Sequence, residues 1–196
     1  LEHFHYRNLQ KHIPNHEVNI MPNTNTIKST AGQTVARELM IAYLNTGTAT
    51  AKKWSAFGKR VSSSSMNYDW STNTERDILG NVFTRMKKPT ITQSFDPLPL
   101  DSSDEATVKL WELAIRDQDN HALANQEVMV AHFYAGDESK NFAEVYDASA
   151  IAVSRNGGDG GDDLTVAAEV TFGGNRTVGT VAKGDDGAVT FTPAAA

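Results

Sequence analysis

Residues 164–172 alternate without a break. Leu164, Val166, Ala168, Val170 and Phe172 fall on one parity, and Thr165, Ala167, Glu169 and Thr171 on the other. A period of two sends successive side chains to opposite faces, so this run demands a strand with one face against a core. Such a strand needs backbone partners, and the sequence offers several. Val128, Val130, His132 and Tyr134 alternate with Met129, Ala131 and Phe133, and Ser149, Ile151 and Val153 with Ala150 and Ala152. Ile91, Gln93 and Phe95 alternate with Thr92 and Ser94 in a strand ending at Asp96-Pro97, and Met66, Tyr68 and Trp70 alternate with Asn67 and Asp69. Gly173-Gly174 predicts a turn into a strand through Val178 and Val181. Gly184-Asp185-Asp186-Gly187 predicts a second turn into Val189 and Phe191, closing a meander.

Arg37 to Leu44 reads as a strand buried on both faces, with Leu39, Ile41 and Tyr43 against Met40, Ala42 and Leu44; a helix competes for so short an apolar run. Trp54 to Val61 is strand-like and broken at Gly58, and Ser71 to Pro89 is a long, loosely patterned loop with a small apolar group at Ile78, Leu79, Val82 and Phe83. One helix is well signalled. Ser102 and Glu105 stand at capping-box spacing, followed by an apolar stripe of Leu110, Trp111, Leu113, Ala114 and Ile115, and the helix should stop near Asp119-Asn120 with Trp111 as a core anchor. The fold class is therefore mainly β, an antiparallel β-sandwich or barrel with one flanking α-helix.

The chain divides unevenly. Residues 1–20 hold His3, His5, His12 and His16 without periodicity, and Met21-Pro22-Asn23 resembles a translation start, so 1–20 reads as an upstream or appended extension. Residues 21–34 are rich in Asn, Thr and Ser and form a flexible arm, 35–193 a single β domain, and 194–196 a tail end. Of the 196 residues 18 are Lys or Arg and 24 Asp or Glu, a net charge of −6, which argues against a protein built to grip nucleic acid. Residues 121–196 carry eleven acids and four bases, net −7, whereas residues 1–120 carry 13 acids and 14 bases, net +1. This polarity suits a head-to-tail assembly, although solvated acidic loops account for it equally simply.

Chemistry is sparse. With no Cys, disulfides, thiolate catalysis and cysteine zinc sites are excluded. Neither a nucleophile elbow nor a phosphate-binding glycine loop is present, and His132 reads as a satisfied strand histidine, so no enzymatic activity and no cofactor are expected. Gly157 to Thr165 matches a calcium-binding nonapeptide, with Asp159, Asp162 and Asp163 as oxygen ligands. Such sites share calcium between successive repeats and only one copy is present, so a Gly/Asp loop joining two strands is the simpler reading. The longest apolar run, Leu39 to Leu44, is six residues against the ~20 that span a bilayer, so no membrane partner is expected.

The order of these segments carries a resemblance. The strand from Arg37 comes first, then Trp54-Ser55-Ala56-Phe57-Gly58 and the Ser-rich strand ending Tyr68-Asp69-Trp70. Asp77-Ile78-Leu79-Gly80, Lys88-Pro89 and the helix after Pro97-Leu98-Pro99-Leu100 follow, and the chain ends with Val166–Phe172, Gly173-Gly174 and Val178-Gly179-Thr180-Val181. Over residues 30–192 this resembles the major tail (tail tube) proteins of tailed bacteriophages and prophages. The resemblance implies a structural virion protein, assembled in the host cytoplasm. Stacked, hexameric rings of it would form the hollow tail tube, meeting other tail proteins (terminator, tape measure, distal tail), with DNA passing through the lumen without specific binding. By position it makes assembly residues of Met21, Thr30 and Thr34 in the arm, of Asn45, Thr48, Lys52 and Lys53 in the first loop, and of Arg76, Asp77, Arg85, Lys87 and Lys88 in the second. The rival reading is a monomeric β-sandwich binding module, taking carbohydrate on Trp54, Tyr68 and Trp70 or calcium on the Gly157–Asp163 loop.

Overall fold

The longest element organises the rest. In a computed structural model, which describes residues 27–137 and 140–195, strand β8 runs for 17 residues, Asn141–Gly157. The expectations for residues 1–20 and for Met21 lie outside the described residues. Before β8 come β1 (Met40–Asn45), β2 (Trp54–Ala56), β3 (Met66–Asp69), β4 (Thr72–Arg76), β5 (Val82–Met86), β6 (Thr90–Pro99), α1 (Glu105–Trp111), α2 (Asn120–Leu123) and β7 (Gln126–Gly136). After it come β9 (Thr165–Phe172), β10 (Arg176–Lys183) and β11 (Val189–Pro193). Nine strands form one sheet with the path β2-β1-β7-β8-β9-β6-β3, and β10 with β11 joins it at β8; every pairing is antiparallel.

The first half of β8 pairs with β7 on one edge and β10 on the other, and its second half pairs with β9. This corrects the meander expected at Gly173-Gly174. Strand β9 runs down β8 as far as Thr171 opposite Ala150, and β10 resumes with Arg176 opposite Tyr146. The glycines therefore make a bulge in one long edge where a turn was expected. Asp147 fills the gap, its carboxylate accepting from the Asn175 amide at 2.7 Å and the Asn175 side chain at 2.9 Å. Gly174 has φ +75°, and a Cβ there would lie 2.1 Å from Asp147 Oδ1, so the bulge demands glycine.

The strand parities read from sequence hold. Ala42 and Leu44 of β1, Val128 and Val130 of β7, and Val166, Ala168, Val170 and Phe172 of β9 meet Phe57, Ile91, Phe95 and Leu98 in the main core. Tyr43, Met129, Ala131, Ala143 and Val145 face the other way, against Val181 and Val189, so β1 is buried on both faces as expected. The β1 strand starts three residues late, because Arg37–Leu39 form a 3-10 turn whose Arg37 donates to the Ser64 and Met40 carbonyls. The β6 strand outruns its expected end, passing through a cis Asp96–Pro97 bond to Pro99.

Helix α1 seals the core with Ala106 and Leu110, both fully buried, while Trp111 packs against the same cluster half-buried. Its cap is not the expected box. Asp104, itself buried, is the N-cap and accepts from the Thr107 amide at 3.3 Å and hydroxyl at 2.9 Å. Glu105 turns away to Lys53, Ser55 and Thr46, so the box with Ser102 does not form. The helix is also shorter than expected: after Trp111 it relaxes into a π turn, Glu112–Arg116, and breaks at Gln118, where φ is +50°.

Candidate functional site

Two features stand out from this scaffold and adjoin each other. The first is the β4–β5 hairpin, where sequence reading placed an open loop. Its strands pair only with one another among the described residues, from Thr72 opposite Met86 to Arg76 opposite Val82. The turn is built by Asp77, whose carboxylate accepts from the Leu79 and Asn81 amides at 2.9 and 2.8 Å, while Gly80 takes φ +87°. Those bonds, that from the Asn81 side chain foremost, hold the Asp77 carboxyl below its ordinary range. The expected apolar cluster does not close. Ile78 is fully exposed, Leu79 is 81 % exposed, and Val82 and Met86 are exposed on the strand. Arg85 lies over the Phe83 ring at 5.1 Å, and Lys87 and Lys88 are exposed at the hairpin's base.

The second feature is an open cleft of about 1030 Å³ at that base. Tyr68, Trp70, Lys88 and Pro89 form one wall, Tyr134 and Phe142 another, and Phe172 to Arg176 a third. Its floor holds a buried ionic cluster that no sequence motif signalled. Glu144 of β8 accepts from His132 Nε2 at 3.2 Å, Tyr146 Oη at 3.2 Å and Arg176 Nε at 2.5 Å. His132 Nδ1 lies 2.9 Å from the Tyr134 hydroxyl, and Phe142 stacks on the imidazole at 5.1 Å. Burial pushes the Glu144 carboxyl up, but the hydrogen bonds from His132 and Arg176, with the Arg176 charge, outweigh it and leave it below the usual range. Burial, reinforced by the Glu144 charge, raises the Tyr146 and Tyr134 hydroxyls. Both Glu144 oxygens and both His132 nitrogens are occupied, so the cluster braces the floor and offers a substrate no free base. The reading of His132 as a satisfied strand histidine therefore stands.

The remaining sequence candidates are scattered. Thr30 and Thr34 are exposed, and just before them Ile27 bridges Ala135 of β7 while the Lys28 amide donates to the Tyr134 carbonyl at 2.8 Å. Asn45 is buried; its side chain accepts from the Gly47 and Lys53 amides and donates to Glu127, bracing its loop from within. Thr48 accepts from the Ala51 amide, Lys52 pairs with Glu127, and Lys53 pairs with Glu105. Arg76 reaches the Gly80 carbonyl at 3.4 Å. Asp159, Asp162 and Asp163 do not converge, and among the described residues no three His, Asp or Glu side chains are grouped to hold a metal ion. Trp54 lies on β2, apart from Tyr68 and Trp70, so the three aromatics form no common platform. No helix among the described residues is long and apolar enough to cross a membrane.

No protein-family model matches the chain, and no curated protein matches it. Solved structures do. A chain of the anti-feeding prophage cap (the tube terminating cap) is 17 % identical, with 78 % of this chain and 95 % of that one covered and a TM-score of 0.45. A chain of the PVC extracellular contractile injection system, in its extended sheath–tube complex, is 12 % identical, with 77 % and 95 % covered and a TM-score of 0.46. One from the sheath/tube terminator of the same system is 13 % identical, with 76 % and 99 % covered and a TM-score of 0.46.

Proposed function

We propose that this chain is a structural subunit of a phage-tail-like particle, self-assembling into stacked, hexameric rings that form a hollow tube. The observation that carries this reading is the β4–β5 hairpin. An isolated two-stranded hairpin is marginal in water, and this one turns Ile78, Leu79, Val82 and Met86 outward. Burial against a neighbouring copy would stabilise both the hairpin and its apolar tip. The order of segments in the sequence supports the same reading. So do the strand edges left without a partner among the described residues at β2, β3 and β11, which are available to another chain. Residues 21–34 act as a connecting arm between copies, and the net negative charge lets DNA pass through the bore without sticking.

Static light scattering over a wide concentration range tests the reading. A mass that climbs from the 21.3 kDa monomer to rings or filaments supports it. A constant monomer mass at the highest concentration overturns it in favour of a monomeric binding module.

A further inference from the structure

The cleft and the loop between β8 and β9 lie at opposite ends of one strand. Phe142, Glu144 and Tyr146 line the cleft from the first half of β8, and the loop of residues 158–164 leaves its far end after Gly157. From Tyr146 to Gly157 a strand reaches roughly 35 Å at about 3.3 Å per residue, and the loop returns at once into β9. A copy's loop therefore cannot enter its own cleft.

The two ends are complementary in charge. At the cleft, Arg176 commits Nε to Glu144 while half of its side chain stays exposed, and the Lys88 ammonium stands on the rim without a hydrogen-bond or ion-pair partner among the described residues. At the loop, the carboxylates of Asp159 and Asp162 are likewise without partners among the described residues, and Asp163 reaches only Arg60, at 3.9 Å. The loop is slender, because Gly158, Gly160 and Gly161 put no side chains beside those carboxylates. Other occupants fit less well. The apolar hairpin tip would bury Lys88 without a counter-charge, and in the turn between β10 and β11 Asp186 is already engaged by the Ala188 amide, which leaves Asp185 as the one unengaged carboxylate there among the described residues, against two in the 158–164 loop.

We infer that the basic rim of the cleft (Lys88 and Arg176) receives the acidic 158–164 loop of a second copy of this chain. This rests on the assembly reading above and gives it a direction. One copy's head meets the next copy's tail, a heterologous contact that closes into a ring or continues as a stack. Rim pairs of this kind set register and association rate and weaken with salt.

Sedimentation velocity of the full-length chain and its variants tests the inference. Asp159→Asn with Asp162→Asn, and separately Lys88→Glu, should each weaken association between copies about tenfold and reduce its salt dependence, with the monomer's thermal midpoint unchanged. Combining Lys88→Glu with Asp159→Lys and Asp162→Lys should restore association. Wild-type association in both the Asp159→Asn/Asp162→Asn variant and the Lys88→Glu variant overturns this inference. If an Ile78→Asp chain then falls apart while those variants assemble, the assembly reading stands without it. A wild-type chain that never associates overturns both.

Discussion

Replacing Glu144 with glutamine isolates the ionic cluster beneath the cleft. Glu144 is 4 % exposed and takes three donors, from His132, Arg176 and Tyr146. Glutamine keeps the shape but removes the charge and turns one acceptor into a donor facing its former donors. Breaking a buried pair costs about 3–5 kcal/mol when the surviving charge stays buried. Half of the Arg176 side chain is exposed, so it can rehydrate, and the expected loss is lower, about 2–3 kcal/mol at pH 7. For a domain of this size that shifts the thermal midpoint by roughly 5–10 °C. The pH dependence gives a second handle. Because the folded carboxyl lies below its unfolded value of 4.5, its contribution is full above that pH and lost as the pH falls through the folded value. Urea titrations of dilute wild-type and variant chains between pH 7 and pH 3 should therefore show a gap that is widest at neutral pH and closes on acidification. Equal midpoints at pH 7, or a gap that persists unchanged at pH 3, would refute the cluster's assigned role.

Three further substitutions probe the scaffold and its projecting element. Asp104→Ala should cost about 1 kcal/mol of helix anchoring by urea denaturation, whereas Ser102→Ala should change stability by less than about 0.5 kcal/mol, since Asp104 is the N-cap. Gly174→Ala should destabilise by about 2 kcal/mol or more in the same assay, because φ is +75° and the new Cβ meets Asp147 and Ala148. Ile78→Asp should leave the monomer's thermal midpoint unchanged while abolishing association in light scattering, because Ile78 contacts solvent on all sides within one copy.

What the sequence disclosed follows from what is local. Alternation in 128–134 and 164–172 gave the strands and the correct core parity, because a half-buried strand imposes a period of two wherever it sits. Gly173-Gly174 suggests a turn as readily as a bulge because a glycine pair serves either geometry, and only the pairing of β8 with both β9 and β10 decides between them. The hairpin was legible in retrospect. Asp77 and Gly80 stand where a tight turn needs an acceptor and a positive φ, but the strands beside them lack the apolar alternation that a buried face imposes. The cap fell to Asp104 because Asp101 shapes the preceding turn, accepting from the Ser103 amide and hydroxyl. The Glu144 cluster was invisible. Its members lie on three strands, and only their register brings His132, Glu144 and Arg176 together.

On the proposed function, copies of this chain build a tube. Negative-stain electron microscopy of the concentrated full-length protein tests it most directly. Rings of uniform diameter, or hollow tubes made of such rings stacked along one axis, are the expected result. A field of dispersed single particles of monomer size, unchanged at the highest concentration, would contradict it.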